Sequence, residues 1–141
     1  MCIRVSDGQI TKQAMRAVTL AALAPRPGEC LWDVGSGSGS IAIEWCRSGT
    51  GCRAVAFERD EARRARIAEN TIAFGVHVEV MFAAPESLDV APPPAAIFVG
   101  GGVSQPGLME ACGAKPPVGG RLVNNAVAVE SGAVPAQGDS R

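Results

Sequence analysis

The chain has 141 residues, of which 47% are hydrophobic and 19% are charged, and its formal net charge is −1. These values predict one globular domain with an ordinary core, and the near-neutral charge argues against a general nucleic-acid surface. The sequence has no run of 18 apolar residues and no basic segment followed by a long apolar run, so we expect neither a membrane span nor a signal peptide.

Cysteine and histidine usage restricts the chemistry that is open to this chain. The five cysteines are odd in number and form no C-x-x-C pair, which indicates the reduced thiols of a cytoplasmic protein. The single histidine, His77, lies in a β-like run, so we expect no metal site. Any catalysis would therefore depend on carboxylates, backbone groups, a few polar side chains or a cofactor.

The first predicted helix follows a short lead, residues 1–10, to which we assign no element. Thr11 is suited to cap this helix, whose residues Met15, Val18 and Ala22 share one face. Thr11 is interpreted either as a helix cap alone or also as a ligand contact. Lys12 is interpreted either as a solvated charge or as a binding residue.

The stretch L-W-D-V-G-S-G-S-G-S at 31–40 organises the rest of the chain. It predicts a buried strand over Cys30–Val34, a glycine turn and a helix that begins near Ser40. Glycines let the backbone adopt positive φ and approach a ligand closely, and the first turn of a helix offers unpaired N–H groups. The turn is either a ligand-free connection or a cradle for a nucleotide-like ligand.

A second signal follows the next predicted strand, Arg53–Phe57, which is succeeded by Glu58. This acid lies 23 residues after Gly35 (58 − 35). An acid there, at the carboxyl end of the second strand, is placed to accept hydrogen bonds from ribose hydroxyls. The alternative is an acid near a helix start, with Asp60 as the cap of that helix.

The third helix is predicted over 60–74, with its clustered arginines on a solvated face and Gly75 as its C-cap. A strand over 76–81 follows it. The turn after that strand, 83–86, has backbone N–H groups that can bond an adenine edge.

The last predicted strands are at 95–99 and 121–127, with a short helix over 106–112 between them. Three glycines follow the first of these strands, at the edge where open α/β sheets bind ligands. Two asparagines, Asn124 and Asn125, interrupt the second strand, and they are either satisfied structurally or aimed at a substrate.

The order of the motifs D-V-G-S-G-S-G, V-A-F-E, I-F-V-G-G-G and G-G-R-L-V-N-N-A-V resembles class I methyltransferases. The opening D-G-Q-I-T-K and the helix S-I-A-I-E-W are similar to one family, CbiT or the C-terminal half of CobL, the decarboxylating precorrin-6Y C5,15-methyltransferases. The resemblance runs from Asp7 to Glu130 and implies a Rossmann-like α/β three-layer sandwich. Its mostly parallel sheet would have the strand order 3-2-1-4-5, numbered along the chain.

This resemblance implies transfer of a methyl group from S-adenosylmethionine to C15 of a precorrin, coupled to loss of CO2 from the ring C acetate, in cobalamin biosynthesis. By the family pattern, the residues that line the cofactor site are Thr11, Gly35, Ser36, Gly37, Ser38, Gly39, Glu58, Ala83 and Ala84. The glycine turn would meet the methionine part, Glu58 the ribose and the backbone at 83–84 the adenine. The sequence does not identify the catalytic and decarboxylating residues.

The precorrin substrate is an acidic tetrapyrrole, so we expect Lys12 and Arg121 to pair with its carboxylates. Glu44 is interpreted either as a pocket residue or as a capping or surface residue. The family also implies a homo-oligomer or a C5-methyltransferase partner domain. Further candidates for substrate contact are Gly100, Gly101, Gly102 and Asn125.

Two departures from the family pattern stand out. Phe82 and Ala83 replace a Gly-Asp pair, which removes a polar contact to adenine. The family's strands 6 and 7 have no counterpart, so we expect a C-terminally truncated methyltransferase domain over 1–130, a disordered tail over 131–141 and a bare edge on the fifth strand. Another small-molecule methyltransferase and a non-catalytic remnant remain as alternatives, whereas Ser40 argues against a nicotinamide oxidoreductase.

Overall fold

The structure is a computed structural model that describes residues 2–5, 12–35, 37–82, 92–100 and 120–125. Three helices and six strands lie within these residues. The helices are α1 (Lys12–Leu23), α2 (Ser40–Ser48) and α3 (Glu61–Phe74). The strands are β1 (Cys2–Val5), β2 (Cys30–Val34), β3 (Arg53–Phe57), β4 (Val78–Met81), β5 (Ala96–Val99) and β6 (Arg121–Asn125).

The strands form one sheet with the order β1-β6-β5-β2-β3-β4, and each neighbouring pair is parallel. Strands β2 to β6 are the five that the sequence predicts, so the predicted order 3-2-1-4-5 and the parallel α/β class are confirmed. Because all the strands run the same way, their carboxyl ends meet at one edge of the sheet. That edge carries the segments that directly follow β2, β3, β4 and β5.

The expectation of a bare edge on the fifth predicted strand is wrong, because β1 pairs with β6 there. The register aligns Cys2 with Leu122 and Val5 with Asn125. A strand of four residues is too short for its alternation to be recognised, and β1 is defined by its hydrogen-bonding partner about 120 positions away. The pairing covers the N–H and C=O groups that an open edge would present to another chain.

The core lies on both faces of the central strand β2, all five residues of which are buried. On one face, Leu31 packs in a cluster with Trp45 of α2 and Leu23 of α1. On the other face, Trp32 packs edge-on against Phe57, with ring centroids 5.5 Å apart. Burial on both faces is typical of a parallel strand in the middle of a sheet.

The ends of α3 are fixed by the residues that the sequence predicts as its caps. The Asp60 carboxylate accepts a hydrogen bond from the Arg63 backbone N–H over 2.9 Å. Gly75 has a φ of 66° and donates its N–H to the Ile72 carbonyl over 3.1 Å. Both predicted caps are therefore confirmed.

Several predictions fall on residues outside those described. They are the helix over 106–112, the last two residues of the strand over 121–127 and the tail over 131–141, so the domain limits also stay predictions.

In the described part of the chain, none of the helices has the length and apolar character that crossing a membrane requires.

Candidate functional site

The turn between β2 and α2 has three glycines in the left-handed region of backbone conformation. Their φ values are 72° at Gly35, 63° at Gly37 and 80° at Gly39. At Gly39 a Cβ atom would also lie only 3.0 Å from Cγ2 of Ile67 in α3. The tight turn therefore requires glycine for its backbone angles, and at Gly39 also for space.

Glu58 connects the end of β3 to this turn. The residue is 4% exposed, and its Oε1 atom accepts a hydrogen bond from the Gly37 backbone N–H over 2.8 Å. Its Oε2 atom accepts from the Asp60 N–H over 3.1 Å. The Arg63 guanidinium also lies 4.0 Å from Oε2, and the two backbone N–H groups occupy two of the roughly four acceptor positions of the carboxylate. The structure thus brings together the two sequence signals, the glycine turn and the acid after the second predicted strand.

Asp33 anchors the helix that the turn opens. Its side chain is completely buried at the end of β2, and Oδ2 accepts a hydrogen bond from the Ala42 backbone N–H over 3.1 Å. A carboxylate beside the first turn of α2 satisfies one of its N–H groups and complements the helix dipole. The sequence signal for this role is an acid inside an otherwise apolar strand, directly before the glycine turn.

Gly100, which directly follows β5, packs against the same turn. Its N–H donates to the Val34 carbonyl over 2.8 Å. A Cβ atom at this position would lie 3.1 Å from the Gly35 carbonyl oxygen, which is a tight contact with backbone. The first glycine of the G-G-G motif therefore lies beside the turn, at the carboxyl edge of the sheet.

The other predicted site residues are only partly described. Ser38 lies exposed in the turn. Lys12 begins α1 and Asn125 ends β6, at the carboxyl edge, but their side chains lie outside the description. The predicted site residues that lie outside the described residues altogether are Thr11, Ser36, Ala83, Ala84, Gly101 and Gly102.

The expectation that Arg121 pairs with substrate carboxylates is wrong. Arg121 begins β6, at the edge of the sheet opposite to the glycine turn, and is 9% exposed. Its guanidinium forms a two-pronged ion pair with the Glu29 carboxylate and donates to the carbonyls of Leu23, at 2.8 Å, and Ala24. Arg121 thus caps the C-terminus of α1, which is a structural role.

Arg64 is a residue near the site that the sequence interpretation missed. It belongs to the arginine cluster predicted to be solvated, yet its Nη1 atom donates to the carbonyl oxygens of Glu58, over 2.9 Å, and of Arg59, over 2.7 Å. Its guanidinium carbon also lies 4.4 Å from the ring centroid of Phe82. Phe82 is the distant member of this group, and the pairing of β3 with β4 brings it to Arg64.

Of the two interpretations of Glu44, a pocket residue or a capping or surface residue, the structure supports the surface residue. Its carboxylate pairs with Arg47 one turn later in α2, at 3.4 Å, and its side chain is 41% exposed.

Within the described ranges, no group of three or more histidine, cysteine or acidic residues is arranged to hold a metal ion. Burial raises the pKa of the Cys46 thiol to about 11, so this thiol is protonated at neutral pH.

Comparison with known proteins identifies relatives over nearly the whole chain. The family model for the precorrin methyltransferase domain matches residues 4–141. A precorrin-6Y C(5,15)-methyltransferase [decarboxylating] from Mycobacterium tuberculosis is 62% identical over 135 residues, which are 96% of this chain and 35% of that protein. The chain spans about a third of the length of this relative and of a Sinorhizobium protein with the same printed name, of which it covers 32%.

Two further matches are a solved domain and a shorter protein. The C-terminal domain of precorrin-6Y C5,15-methyltransferase from Rhodobacter capsulatus superposes with a TM-score of 0.78 at 45% identity, covering 90% of this chain and 69% of that one. A Thermoplasma volcanium protein, assigned as a cobalt-precorrin-6B C(15)-methyltransferase (decarboxylating), is 30% identical over 132 residues. That alignment covers 91% of this chain and 66% of the relative.

Proposed function

Because the chain belongs to the precorrin methyltransferase domain family, we propose that it methylates C15 of a precorrin with S-adenosylmethionine and removes the ring C acetate carboxyl group as CO2. The observation that carries this proposal is the hydrogen bond from the Gly37 N–H to the Glu58 carboxylate, 2.8 Å long. This bond holds an acid that can accept hydrogen bonds from ribose hydroxyls directly beside a glycine turn that can contact the methionine part of the cofactor.

The described residues fit S-adenosylmethionine. When bound, this cofactor supplies an electrophilic methyl group on a sulfonium sulfur. The Glu58 carboxylate has acceptor positions left for the two ribose hydroxyls. The turn, with no Cβ at Gly35, Gly37 and Gly39, lets the backbone lie close to the methionine part. The remaining residues proposed for this site are Thr11, Ser36, Ser38, Ala83 and Ala84.

Positioning is the main contribution that we assign to the chain's own residues. Methyl transfer needs a carbon nucleophile aligned with the sulfonium carbon, and holding both partners in that geometry supplies much of the rate acceleration. The glycine turn and Gly100 lie side by side at the carboxyl edge, which leaves the end of β5 next to the cofactor site. We assign the substrate side of the site to Lys12, Gly100, Gly101, Gly102 and Asn125.

The lengths of the relatives support methylation at C15, and not at C5, as the reaction of this chain. The Mycobacterium relative named for both positions is about three times as long as the stretch that this chain matches. The matching solved domain is the C-terminal part of such a protein, and a shorter relative is assigned to C15 alone. We therefore assign C15 methylation with decarboxylation to this chain, and C5 methylation to a partner domain.

The proposal also includes a cytoplasmic location and a homo-oligomer or a C5-methyltransferase domain as partner. The free thiols of Cys30, Cys46 and Cys52 fit a reducing compartment.

The test is an assay of the purified chain with a precorrin-6 substrate and methyl-labelled S-adenosylmethionine. The expected result is one labelled methyl group and one CO2 for each turnover, with the new methyl at C15. Methyl transfer without CO2 release, or to C5, would contradict this assignment. Transfer to an unrelated small molecule would instead support a different methyltransferase activity.

A further inference from the structure

Phe82 is a large apolar side chain left open to solvent at the proposed cofactor edge. Phe82 directly follows β4 and is 67% exposed to solvent. The register of β3 and β4 aligns Phe57 with Met81, and the Glu58 N–H donates to the Met81 carbonyl over 3.1 Å. Phe82 is therefore the neighbour, across the sheet edge, of the acid to which we assign the ribose.

Arg64 holds one face of the Phe82 ring. Its guanidinium carbon lies 4.4 Å from the ring centroid, in the geometry of a cation–π contact. The same guanidinium donates to the carbonyl oxygens of Glu58 and Arg59. The ring is thus oriented by a guanidinium that donates to two successive backbone carbonyls, while the exposure of Phe82 leaves room at the other face of the ring.

We propose that Phe82 is a specificity-determining residue that stacks on the adenine ring of the cofactor. The inference rests on the proposed function, since it takes Glu58 as the ribose ligand. Adenine is bonded directly to the ribose, so it must lie beside Glu58, and Phe82 follows the strand that neighbours Glu58 there. Stacking on an aromatic face recognises a purine without a polar partner.

The test measures two ligands by titration calorimetry on the whole chain: S-adenosylhomocysteine, and S-ribosylhomocysteine, which lacks the adenine. Phe82→Leu keeps an apolar side chain but removes the aromatic face. We expect it to weaken S-adenosylhomocysteine binding about tenfold, the scale of one base stacked on an aromatic ring. We expect S-ribosylhomocysteine binding to stay unchanged, and Phe82→Tyr to bind both ligands as the unmodified chain does.

Phe74→Leu is the matched control. Phe74 is also an exposed phenylalanine, 52% accessible, with an arginine, Arg47, over its ring at 5.0 Å. It ends α3, away from the carboxyl edge of the sheet. The control is expected to change the affinity for neither ligand.

Three results would overturn the stacking role. The first is an unchanged affinity of Phe82→Leu for S-adenosylhomocysteine. The second is an equal loss for both ligands, which would mean that Phe82 only positions Glu58. The third is an unmodified chain that binds neither ligand, and this result alone would also overturn the proposed function. Glu58→Ala separates the two proposals, because the ribose role predicts that it weakens both ligands together.

Discussion

The Glu58 carboxylate accepts a hydrogen bond from the Gly37 backbone over 2.8 Å, and this contact joins the ends of two neighbouring strands. One oxygen of the buried carboxylate is directed to the glycine turn after β2, and the other to the start of α3 through the Asp60 N–H. The acid therefore shapes the site in addition to offering acceptors to a ligand. Substitutions at Glu58 should affect both stability and binding.

Glu58→Gln tests this double role. A glutamine offers one oxygen and one NH2 group, so one of the two backbone donors would face another donor. We expect a loss of about 1–3 kcal/mol in the free energy of unfolding, measured with urea. Glu61→Gln is the control, because Glu61 is an exposed acid in the first turn of α3. Equal stabilities for the two variants would contradict the structural role of Glu58.

Gly39→Ala tests the need for glycine in the turn. The φ of 80° is unfavourable for alanine, and the new Cβ would lie 3.0 Å from the Ile67 side chain. We expect a loss of about 2–4 kcal/mol, which combines the cost of a left-handed residue with crowding in a packed region. Gly37→Ala is the matched variant, since its φ is 63° and no described atom lies within 4 Å of its Cβ position. Gly37→Ala should cost only about 1 kcal/mol, from its backbone angles alone. If the two variants were equally stable, the contact with Ile67 would be unimportant.

Arg121→Met should unfold more easily without a change in cofactor affinity. The substitution leaves the Glu29 carboxylate and the last carbonyls of α1 without their partner. We expect a loss of about 2–4 kcal/mol, because the pair is largely buried, with the two side chains 10% and 19% exposed. Arg47→Met is the control, since its pair with Glu44 is exposed and contributes at most about 1 kcal/mol. Weaker S-adenosylhomocysteine binding by a folded Arg121→Met chain would contradict a purely structural role for Arg121.

The same ion pair predicts a pH dependence of stability. The hydrogen bond and charge of Arg121 hold the pKa of Glu29 below its ordinary value. A lowered pKa in the folded state means that the unfolded chain binds the proton more tightly. The stabilisation is therefore present above about pH 4.3 and is lost as the pH falls through the lowered value. Thermal melts of Glu29→Gln and the unmodified chain should differ at pH 6 and converge towards pH 3. Parallel curves would contradict this origin of the pH dependence.

Contacts between residues close together in the chain could be predicted from the sequence, and contacts between distant residues could not. The glycine turn, the acid after the second predicted strand and the Asp60 and Gly75 caps depend on residues close together in the chain. The strand β1 and the Arg121–Glu29 pair depend on partners that are about 120 and 92 positions away. Nothing in the spacing of Arg121 distinguishes an arginine that caps α1 from one that binds a substrate. The contact of Arg64 with the Phe82 ring is non-local in the same way, because 18 positions separate the two residues (82 − 64).

Titration of S-adenosylhomocysteine into the purified chain, in parallel with Glu58→Ala and Glu61→Ala, tests the cofactor site most directly. We expect binding by the unmodified chain and by Glu61→Ala. We expect at least a tenfold weaker affinity for Glu58→Ala, since a ligand hydroxyl bonded to a charged acceptor contributes about 1.5–3 kcal/mol. Circular dichroism establishes that each variant is folded. A folded, unmodified chain that does not bind, or a Glu58→Ala chain that binds equally well, would contradict a nucleotide site at this edge of the sheet.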